Sequence, residues 1–283
     1  MTDQPFGPLA VLGGGNMAQA IVRGGLDAGV LSQVSLLVCE PDAAKRAIFD
    51  RWGIRTTTLH SEAVENRWPM LLAVKPQSLA ELASQIAPHL GDHAYLAISI
   101  LAGTPAASVH RALGARGTGR IGRIVRVMPN TPVKIRCGAS AIAPGPGATD
   151  EDVARTRRLF DSVGATFRID ESMMNSATAL IGSGPAYLFY LAEAMIRAGI
   201  EIGFDAATAS AMTRATLEGA SRLLTASPAS SPEQLRQAVT SKGGTTAAAT
   251  DVLDHSEVAA AFRRAIFAAR DRGETLAQIA GNP

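Results

Sequence analysis

Residues 9–20 read Leu-Ala-Val-Leu-Gly-Gly-Gly-Asn-Met-Ala-Gln-Ala, and this stretch decides the fold of the chain. An apolar run typical of a buried strand leads into three glycines and then into residues that favour a helix. The spacing Gly13-x-Gly15-x-x-Ala18 matches the dinucleotide fingerprint G-x-G-x-x-G/A. Gly13 permits a tight turn, Gly15 lets a pyrophosphate approach the backbone, and Ala18 lets the helix pack closely on the strand. The stretch therefore predicts a bound dinucleotide.

The composition narrows the class of protein. The chain has 283 residues, which is long enough for two domains, and 47% of them are hydrophobic. Only 18% are charged, which is low for a monomer whose whole surface meets water. We therefore expect additional burial between subunits. A net charge of +2 gives no reason to expect nucleic acid or an anionic membrane as a partner.

The cysteines and histidines do not indicate a metal, and none is predicted. Cys39 and Cys137 lie in no C-x-x-C spacing, and the histidines form no H-E-x-x-H motif. Cys39 is expected to be a small buried thiol in an apolar strand. The first residues lack the basic region of a signal peptide, and no run of eighteen apolar residues occurs. These features predict a cytoplasmic protein with no membrane partner.

The first half of the chain alternates apolar strands with amphipathic helices, as in a doubly wound parallel sheet. Strands are predicted at 8–12, 34–39, 54–57, 70–74, 95–100, 121–128, 138–143 and 165–169. Helices are predicted between them at 16–28, 42–52, 76–90, 105–113 and 150–163. Beyond residue 171 only helices are predicted, at 172–181, 185–202, 205–226, 231–239, 244–254 and 257–279. The pattern predicts an α/β fold with a Rossmann-type domain at 1–169 and an all-helical domain at 170–283.

An acidic residue after the second predicted strand bears on the identity of the cofactor. Glu40 lies where a Rossmann domain often holds the ribose 2′-OH of NAD. Lys45 and Arg46, on the next helix, could instead reach the 2′-phosphate of NADP. Because Glu40 precedes Pro41, it could also be a turn residue that points to solvent. The sequence leaves NADPH and NADH both open.

Two further loops follow strands at the edge of the sheet where a nicotinamide would extend. Residues 73–76, Ala-Val-Lys-Pro, end the fourth predicted strand and should touch the cofactor. Lys75 could be catalytic, but the favoured interpretation is that its backbone lines the site while its side chain points away. Residues 126–132, Arg-Val-Met-Pro-Asn-Thr-Pro, end the sixth strand. In this second loop Asn130 and Thr131 could make polar contacts near the ring.

Two stretches interrupt the helical half. Residues 182–187, Gly-Ser-Gly-Pro-Ala-Tyr, are predicted to break or kink a helix, because Gly costs about 1 kcal/mol and Pro about 3 kcal/mol inside one. They form either a simple turn or a close approach to a neighbouring chain or ligand. Residues 240–247, Thr-Ser-Lys-Gly-Gly-Thr-Thr-Ala, suit an anion such as a carboxylate at a helix start. The alternative is an ordinary N-cap formed by Thr245 or Thr246.

Taken together, these motifs resemble the pyrroline-5-carboxylate reductases. The resemblance rests on the order of residues 13–18, 73–76, 126–132, 182–187 and 243–246. It implies a Rossmann domain followed by a helical domain that forms an interlocked homodimer, assembled further into a ring of dimers. The implied reaction is the reduction of L-1-pyrroline-5-carboxylate to L-proline by NADPH or NADH, the last step of proline biosynthesis.

The resemblance also implies roles for individual residues. The substrate carboxylate would be held by Ser241, Gly243, Gly244, Thr245 and Thr246. Thr246 matches the family threonine proposed to lie near the imine nitrogen, and it is the catalytic candidate. Lys242 stands where many members have proline, and it is expected to face solvent. The active site would be shared between the Rossmann domain of one subunit and the helices of its partner.

The cofactor would be held by residues at the ends of four predicted strands of the Rossmann domain, the first, second, fourth and sixth. The nicotinamide is expected near the end of the sixth strand. The predicted cofactor-binding residues are Gly13, Gly15, Asn16, Met17, Ala18, Glu40, Ala73, Val74, Lys75, Pro76, Met128, Pro129 and Asn130.

Two other functions fit parts of the sequence. A β-hydroxyacid dehydrogenase also joins a Rossmann domain to helices, but such enzymes usually depend on a lysine in a long interdomain helix. The predicted helices at 172–202 contain no lysine. A non-catalytic dinucleotide sensor would share the fold. It would not need the anion loop at 243–246.

Overall fold

The computed structural model describes residues 6–114 and 122–281 of the chain. Eight strands form a single sheet in the order β3-β2-β1-β4-β5-β6-β7-β8. Their bounds are β1 Leu9–Leu12, β2 Leu36–Cys39, β3 Arg55–Thr57, β4 Met70–Leu72, β5 Tyr95–Ser99, β6 Gly122–Pro129, β7 Gly138–Pro144 and β8 Gly164–Arg168.

The sheet is parallel from β1 to β6, which confirms the doubly wound prediction. The pairing of β6 with β7 is the one antiparallel pair among these strands, and β8 then pairs parallel to β7. The connection from β6 to β7 is a short 3-10 helix, Thr131–Ile135. A parallel return would need a crossover of a dozen or more residues, so this short link forces the antiparallel direction.

Helices follow the strands and then make up the rest of the chain. Six of them alternate with the strands: α1 Asn16–Asp27, α2 Ala43–Arg51, α3 His60–Glu65, α4 Leu79–Ile86, α5 Ala106–Ala112 and α6 Asp150–Asp161. The later helices are α7 Met174–Ala177, α8 Gly184–Glu201, α9 Ala206–Ala226, α10 Pro232–Ala238, α11 Thr245–His255 and α12 Val258–Gly281. The described part of the chain has no strand beyond β8, as predicted.

Several predicted boundaries were wrong. The predicted strand at 34–39 begins only at Leu36, because residues 33–35 form a 3-10 turn that leaves Val34 92% exposed. The helix α3 was not predicted at all. The predicted helix at 76–90 is α-helical only over α4, with 3-10 turns at Pro76–Ser78 and Ala87–His89. Pro88 ends the α-helix because it has no N–H to donate. The predicted start of the sixth strand, Ile121, lies outside the described residues.

The sheet is buried on both faces. In β1, Leu9 and Val11 belong to the apolar cluster on one face, while Ala10 and Leu12 belong to the cluster on the other. Fully burying a Leu or Val side chain contributes roughly 1.5–3 kcal/mol. A continuous apolar strand of this kind can therefore only lie in the middle of the sheet, and it fixes the point at which the glycine turn emerges.

Contacts divide the chain into two compact units, Met1–Ser183 with Ala269–Pro283 and Gly184–Ala268. The second unit has almost no core of its own. Among its described residues only Ala209 and Thr213 are buried, while Tyr190 and Ile202 are 74% and 76% exposed. An apolar surface of this extent marks an interaction site.

The predicted break at 182–187 takes the form of a π-helical turn at Thr178–Gly182. The Ser183 N–H donates to the Thr178 carbonyl oxygen at 2.9 Å, which closes the wider turn and allows helical geometry to resume at Gly184. The stretch Glu171–Glu201 is long and apolar enough to cross a membrane by length and composition, because an 18-residue window within it has a mean hydropathy of 1.3. The absence of a membrane partner therefore stays a prediction.

Candidate active site

The glycine turn after β1 has the geometry that its sequence predicts. Gly13 has a φ of +103°, and a Cβ at this position would lie 2.7 Å from the Ala73 carbonyl oxygen. Only glycine tolerates both the conformation and the contact. A Cβ on Gly15, in contrast, would meet nothing within 4 Å. The backbone at Gly15 therefore faces open space, as a site for pyrophosphate requires.

The first turn of α1 is open to an anion. Gly15 is the N-cap of this helix and makes no side-chain cap hydrogen bond. Asn16 is exposed and Met17 half-buried, while Ala18 is 1% exposed and packs into the core beneath them. The N–H groups and the dipole at such a helix start favour phosphate. The residues present therefore fit a dinucleotide pyrophosphate.

The carboxylate of Glu40 points back into the glycine turn. Its Oε2 accepts from the Gly14 N–H at 2.7 Å, and its Oε1 accepts from the Asp42 N–H at 3.0 Å. Glu40 is 6% exposed, so the alternative of a turn residue that points to solvent is wrong. Gly14 is also closely packed, because a Cβ there would lie 2.9 Å from the Phe49 ring.

The two basic residues on α2 have different roles. The Lys45 Nζ lies 3.8 Å from Glu40 Oε1 and 3.7 Å from Asp42 Oδ2. The Arg46 Nη1 instead donates to the carbonyl oxygens of Glu40 and Pro41 at 2.8 and 2.6 Å. Asp42 caps α2, and the N–H groups of Lys45 and Ala44 that it accepts lower the pKa of its carboxyl. Asp42 is therefore an ionised carboxylate beside Lys45.

A cleft of about 260 Å³ joins the turn after β1 to the ends of β2 and β4. Six of the predicted cofactor residues line it: Gly13, Gly15, Glu40, Ala73, Val74 and Lys75. Sequence reasoning suggested a phosphate contact for one of the other lining residues, Lys45, and did not identify the rest. These are Pro41, His60, Ser78, Glu81 and Leu82. Most of these residues lie in α3 or at the start of α4. Tertiary packing brings these helices to the cleft, so a local sequence pattern does not reveal them. Pro76 does not line the cleft, and it begins the 3-10 turn that precedes α4.

The loop after β6 is held by the side chain of Asn130. Its Nδ2 donates to the Ile181 carbonyl oxygen at 3.1 Å, and its Oδ1 accepts from the Ala139 N–H at 2.9 Å. Each functional group of the amide thus has one partner in the fold, which fixes its orientation. The predicted polar contact between this side chain and a nicotinamide stays a prediction. Met128 packs against Gly182, where a Cβ would lie 2.7 Å from the Met128 methyl group. The buried Pro129 ends β6.

An ion pair between the buried Arg126 and the partly exposed Glu171, next to this loop, was missed by sequence reasoning. The Arg126 Nη1 donates to Glu171 Oε1 at 2.9 Å, and Arg126 is 4% exposed. The same carboxylate oxygen accepts from the Ala106 N–H at 3.0 Å at the start of α5. Glu171 thus connects the end of β6 to the helix that follows β5. Its partners lie 45 and 65 positions away, so no local pattern could have identified them.

The anion loop of the second unit is also open. Gly243 has a φ of +72°, and the Gly244 N–H donates to the Ser241 carbonyl oxygen at 3.0 Å. Gly244 is the N-cap of α11 and makes no side-chain cap hydrogen bond, so the alternative of a Thr245 or Thr246 cap is wrong. Lys242 is exposed, as predicted.

Cys39 is the buried thiol that the sequence predicts. It lies in β2 with no exposed surface, and desolvation followed by the charge of Glu40 raises its pKa to about 12. A thiol of this kind is inert at neutral pH. Within the part of the chain that the structure describes, no group of three or more His, Cys, Asp or Glu could hold a metal ion.

Comparisons with known proteins agree with this geometry. A family model described as pyrroline-5-carboxylate reductase dimerisation matches residues 171–276, and one described as NADP oxidoreductase, coenzyme F420-dependent, matches residues 8–103. A pyrroline-5-carboxylate reductase of Corynebacterium melassecola is 33% identical over 95% of this chain and 98% of its own length.

Solved structures have the same fold over the whole chain. A pyrroline-5-carboxylate reductase from Coxiella burnetii has a TM-score of 0.87 at 31% identity and covers 96% of this chain and 98% of its own. A Plasmodium falciparum pyrroline carboxylate reductase with NADP bound has a TM-score of 0.81 at 24% identity, with coverage of 95% and 98%. The chain belongs to the pyrroline-5-carboxylate reductases, the NAD(P)H-dependent oxidoreductases that reduce pyrroline-5-carboxylate to proline.

Proposed function

We propose that this chain reduces L-1-pyrroline-5-carboxylate by direct hydride transfer from nicotinamide C4 to C5 of the cyclic imine. The C=N bond becomes a C–N single bond, and the imine proton stays on nitrogen as proline forms. A protonated imine is already a good electrophile, so positioning carries most of the catalysis. The cofactor supplies the hydride when bound. The observation that carries the proposal is the presence in one chain of two helices, α1 and α11, whose N-cap residue is a glycine, Gly15 and Gly244.

The first helix start would hold the cofactor. NADP is bound in the Plasmodium relative, and we infer the same cofactor here, with NADH as a possible substitute. The pyrophosphate would lie at the start of α1, where a Cβ on Gly15 would meet no atom. The adenosine would occupy the cleft between Glu40 and Lys75. The nicotinamide would reach toward Met128 and Pro129, and Asn130 would act as a positioning residue.

The second helix start would hold the substrate carboxylate. The backbone N–H groups of Gly243, Thr245 and Thr246, with the hydroxyl of Ser241, are the proposed donors. The Gly244 N–H already donates to the Ser241 carbonyl oxygen, so Gly244 would shape the loop around the carboxylate. Thr246 is the catalytic candidate near the imine nitrogen. This assignment is supported by the positive φ of Gly243, which turns the backbone into α11, and by the absence of a side-chain cap on that helix. An anion is the natural partner of a helix start in this state.

Self-association would complete the site. A dimerisation family model covers residues 171–276, and the second unit leaves large apolar side chains in contact with water. We infer that a second copy of the chain covers them, including the apolar stretch 171–201, and that its helices supply the substrate loop. We further infer that the dimers assemble into a ring and that the protein is cytoplasmic. The proposed functional domains are residues 1–169 for the cofactor and residues 170–283 for the substrate and the dimer contact.

The oxidation of NADPH followed at 340 nm with pyrroline-5-carboxylate tests the function. Turnover that depends on the imine is expected. The absence of turnover, with cofactor binding still seen by NADPH fluorescence, would instead identify a dinucleotide sensor. The same assay with a β-hydroxyacid and NADP tests the second rival, for which we expect no reaction.

The role of Thr246 can be tested separately. Thr246→Ala should lower kcat and leave the dissociation constant of NADPH unchanged, because the hydroxyl belongs to the substrate loop. Thr225→Ala is a matched control, because it removes an exposed hydroxyl that donates within α9. Equal kinetics of Thr246→Ala and the unsubstituted chain would remove Thr246 from the mechanism.

A further inference from the structure

The end of β2 is where Rossmann domains distinguish NAD from NADP. An acidic residue there normally accepts from the ribose 2′-OH and repels a 2′-phosphate. In this chain the acidic residue is Glu40, but both of its carboxylate oxygens already accept backbone N–H groups, from Gly14 at 2.7 Å and from Asp42 at 3.0 Å. Glu40 is also almost completely buried. Its carboxylate therefore holds the glycine turn in shape before any cofactor binds.

The basic residues at the same place are not equivalent. The guanidinium of Arg46 is held by the carbonyl oxygens of Glu40 and Pro41, and Arg46 does not line the cleft. Lys45 does line the cleft, and its side chain is 46% exposed. Its ammonium group lies 3.7–3.8 Å from two carboxylates, beyond the usual length of a charged hydrogen bond. Lys45 can therefore turn its donors to a ligand at little cost.

The local charges decide what such a ligand can be. Glu40 and Asp42 contribute two negative charges at this end of the cleft, and Lys45 is the cation placed between them. A dianionic 2′-phosphate entering here would face both carboxylates and would need a counter-charge. Among the residues that line the cleft, Lys45 is the one with an ammonium group within 4 Å of both carboxylates. A ribose with a free 2′-OH adds no charge, so it would need no such counter-charge.

We propose that Lys45 is the specificity-determining residue that binds the 2′-phosphate of NADPH through its ammonium group, and that Glu40 is a positioning residue for the glycine turn. This inference rests on the proposed function in that it takes the cleft as the adenosine site of the cofactor. It predicts that the two residues affect different quantities. Lys45 should control the choice between NADPH and NADH, whereas Glu40 should control the stability of the cofactor-free protein.

The test for Lys45 compares Lys45→Met with Arg51→Met, which removes the same charge from the exposed end of α2 outside the cleft. Dissociation constants of NADPH and NADH are measured by fluorescence titration in the absence of substrate. For Lys45→Met, we expect the NADPH constant to rise by about tenfold or more and the NADH constant to change by less than about twofold. Arg51→Met should leave both constants within about twofold, because distant exposed charges are screened.

The inference is overturned if Lys45→Met changes both constants by the same factor, or if Arg51→Met has the same effect. It fails together with the proposed function if the unsubstituted chain binds neither cofactor. If the unsubstituted chain binds both and reduces the imine, a negative result for Lys45→Met overturns only the specificity assignment.

The test for Glu40 uses Glu40→Gln without cofactor. An amide can replace one accepting oxygen but presents an NH₂ group to the second N–H, so the unfolding midpoint in urea should fall. A residue that acts only on the ribose would leave this midpoint unchanged, and that outcome overturns the positioning role. Urea unfolding of Lys45→Met serves as the comparison, since its exposed side chain should contribute little to the stability of the cofactor-free chain.

Discussion

The amide of Asn130 offers the sharpest test of how the site is held in place. Asn130 is 8% exposed and connects the end of β6 to two other segments. Because the Ala139 N–H can only donate and the Ile181 carbonyl can only accept, the orientation of the amide is unambiguous. Asn130→Ala would remove both hydrogen bonds at once and leave the Ala139 N–H and the Ile181 carbonyl without this partner.

The cost follows from these two contacts. The hydrogen bond to the Ile181 carbonyl contributes about 1 kcal/mol, and the part-buried Ala139 N–H, left without a partner, costs roughly 1–3 kcal/mol. Asn130→Ala should therefore lower the free energy of unfolding by about 2–4 kcal/mol. Asn66→Ala, at an exposed position after α3, should change it by less than about 0.5 kcal/mol. Urea unfolding at one fixed protein concentration measures both, since an oligomer gains stability with concentration.

Asn130→Asp separates hydrogen bonding from packing. The new carboxyl can still accept from Ala139, but its second oxygen would face the Ile181 carbonyl oxygen across 3.1 Å. The fold therefore favours the protonated carboxyl, which can donate, and raises its pKa above the ordinary value of about 3.9. A raised folded pKa for an acid means that stability is greatest below about pH 4 and is lost as the pH rises toward the folded pKa.

The expected result is a variant that loses stability relative to the unsubstituted chain as the pH rises from about 4 to the raised folded pKa, by up to about 1.4 kcal/mol per pH unit, and then stays level. A stability difference that stays constant over this range would refute the reasoning, because it would mean that no proton is shared with Ile181.

Three other outcomes follow from the same structure. Gly13→Ala should raise the dissociation constant of NADPH about tenfold or more, because a φ of +103° costs an L-residue roughly 1–2 kcal/mol and the new Cβ would collide with backbone; an unchanged constant in fluorescence titration would contradict this. Glu171→Gln should lower the free energy of unfolding in urea by about 2 kcal/mol, because the buried Arg126 loses its counter-charge. The loss is smaller than for a fully buried pair because Glu171 is partly exposed. Glu218→Gln, in an exposed ion pair, should cost less than about 0.5 kcal/mol, and equal losses for the two variants would argue against a buried charge on Arg126. A thiol reagent at pH 8 should modify one of the two cysteines in the folded chain and both after unfolding, because burial raises the pKa of Cys39 to about 12; rapid modification of both in the folded chain would show that β2 opens.

The amino-acid sequence by itself determined the parts of this protein that depend on neighbouring residues. The apolar run at Leu9–Leu12, the glycine turn and the helix after it follow one another within a dozen positions, so their pattern predicted both the parallel sheet and the dinucleotide site. The helical second half follows from periodicity in the same way. The order of the motifs was enough to suggest the family before any contact was known.

The tertiary structure decided which side chains remain free to act. Glu40 lies at the predicted position, but its carboxylate is used by Gly14, 26 positions away. Asn130 lies in the predicted loop, but its amide is used by Ile181, 51 positions away. A polar side chain satisfies whichever buried donor or acceptor the fold brings near it, because leaving that group unpaired costs more than the contact gains. Such partners are distant along the chain, and local patterns cannot reveal them.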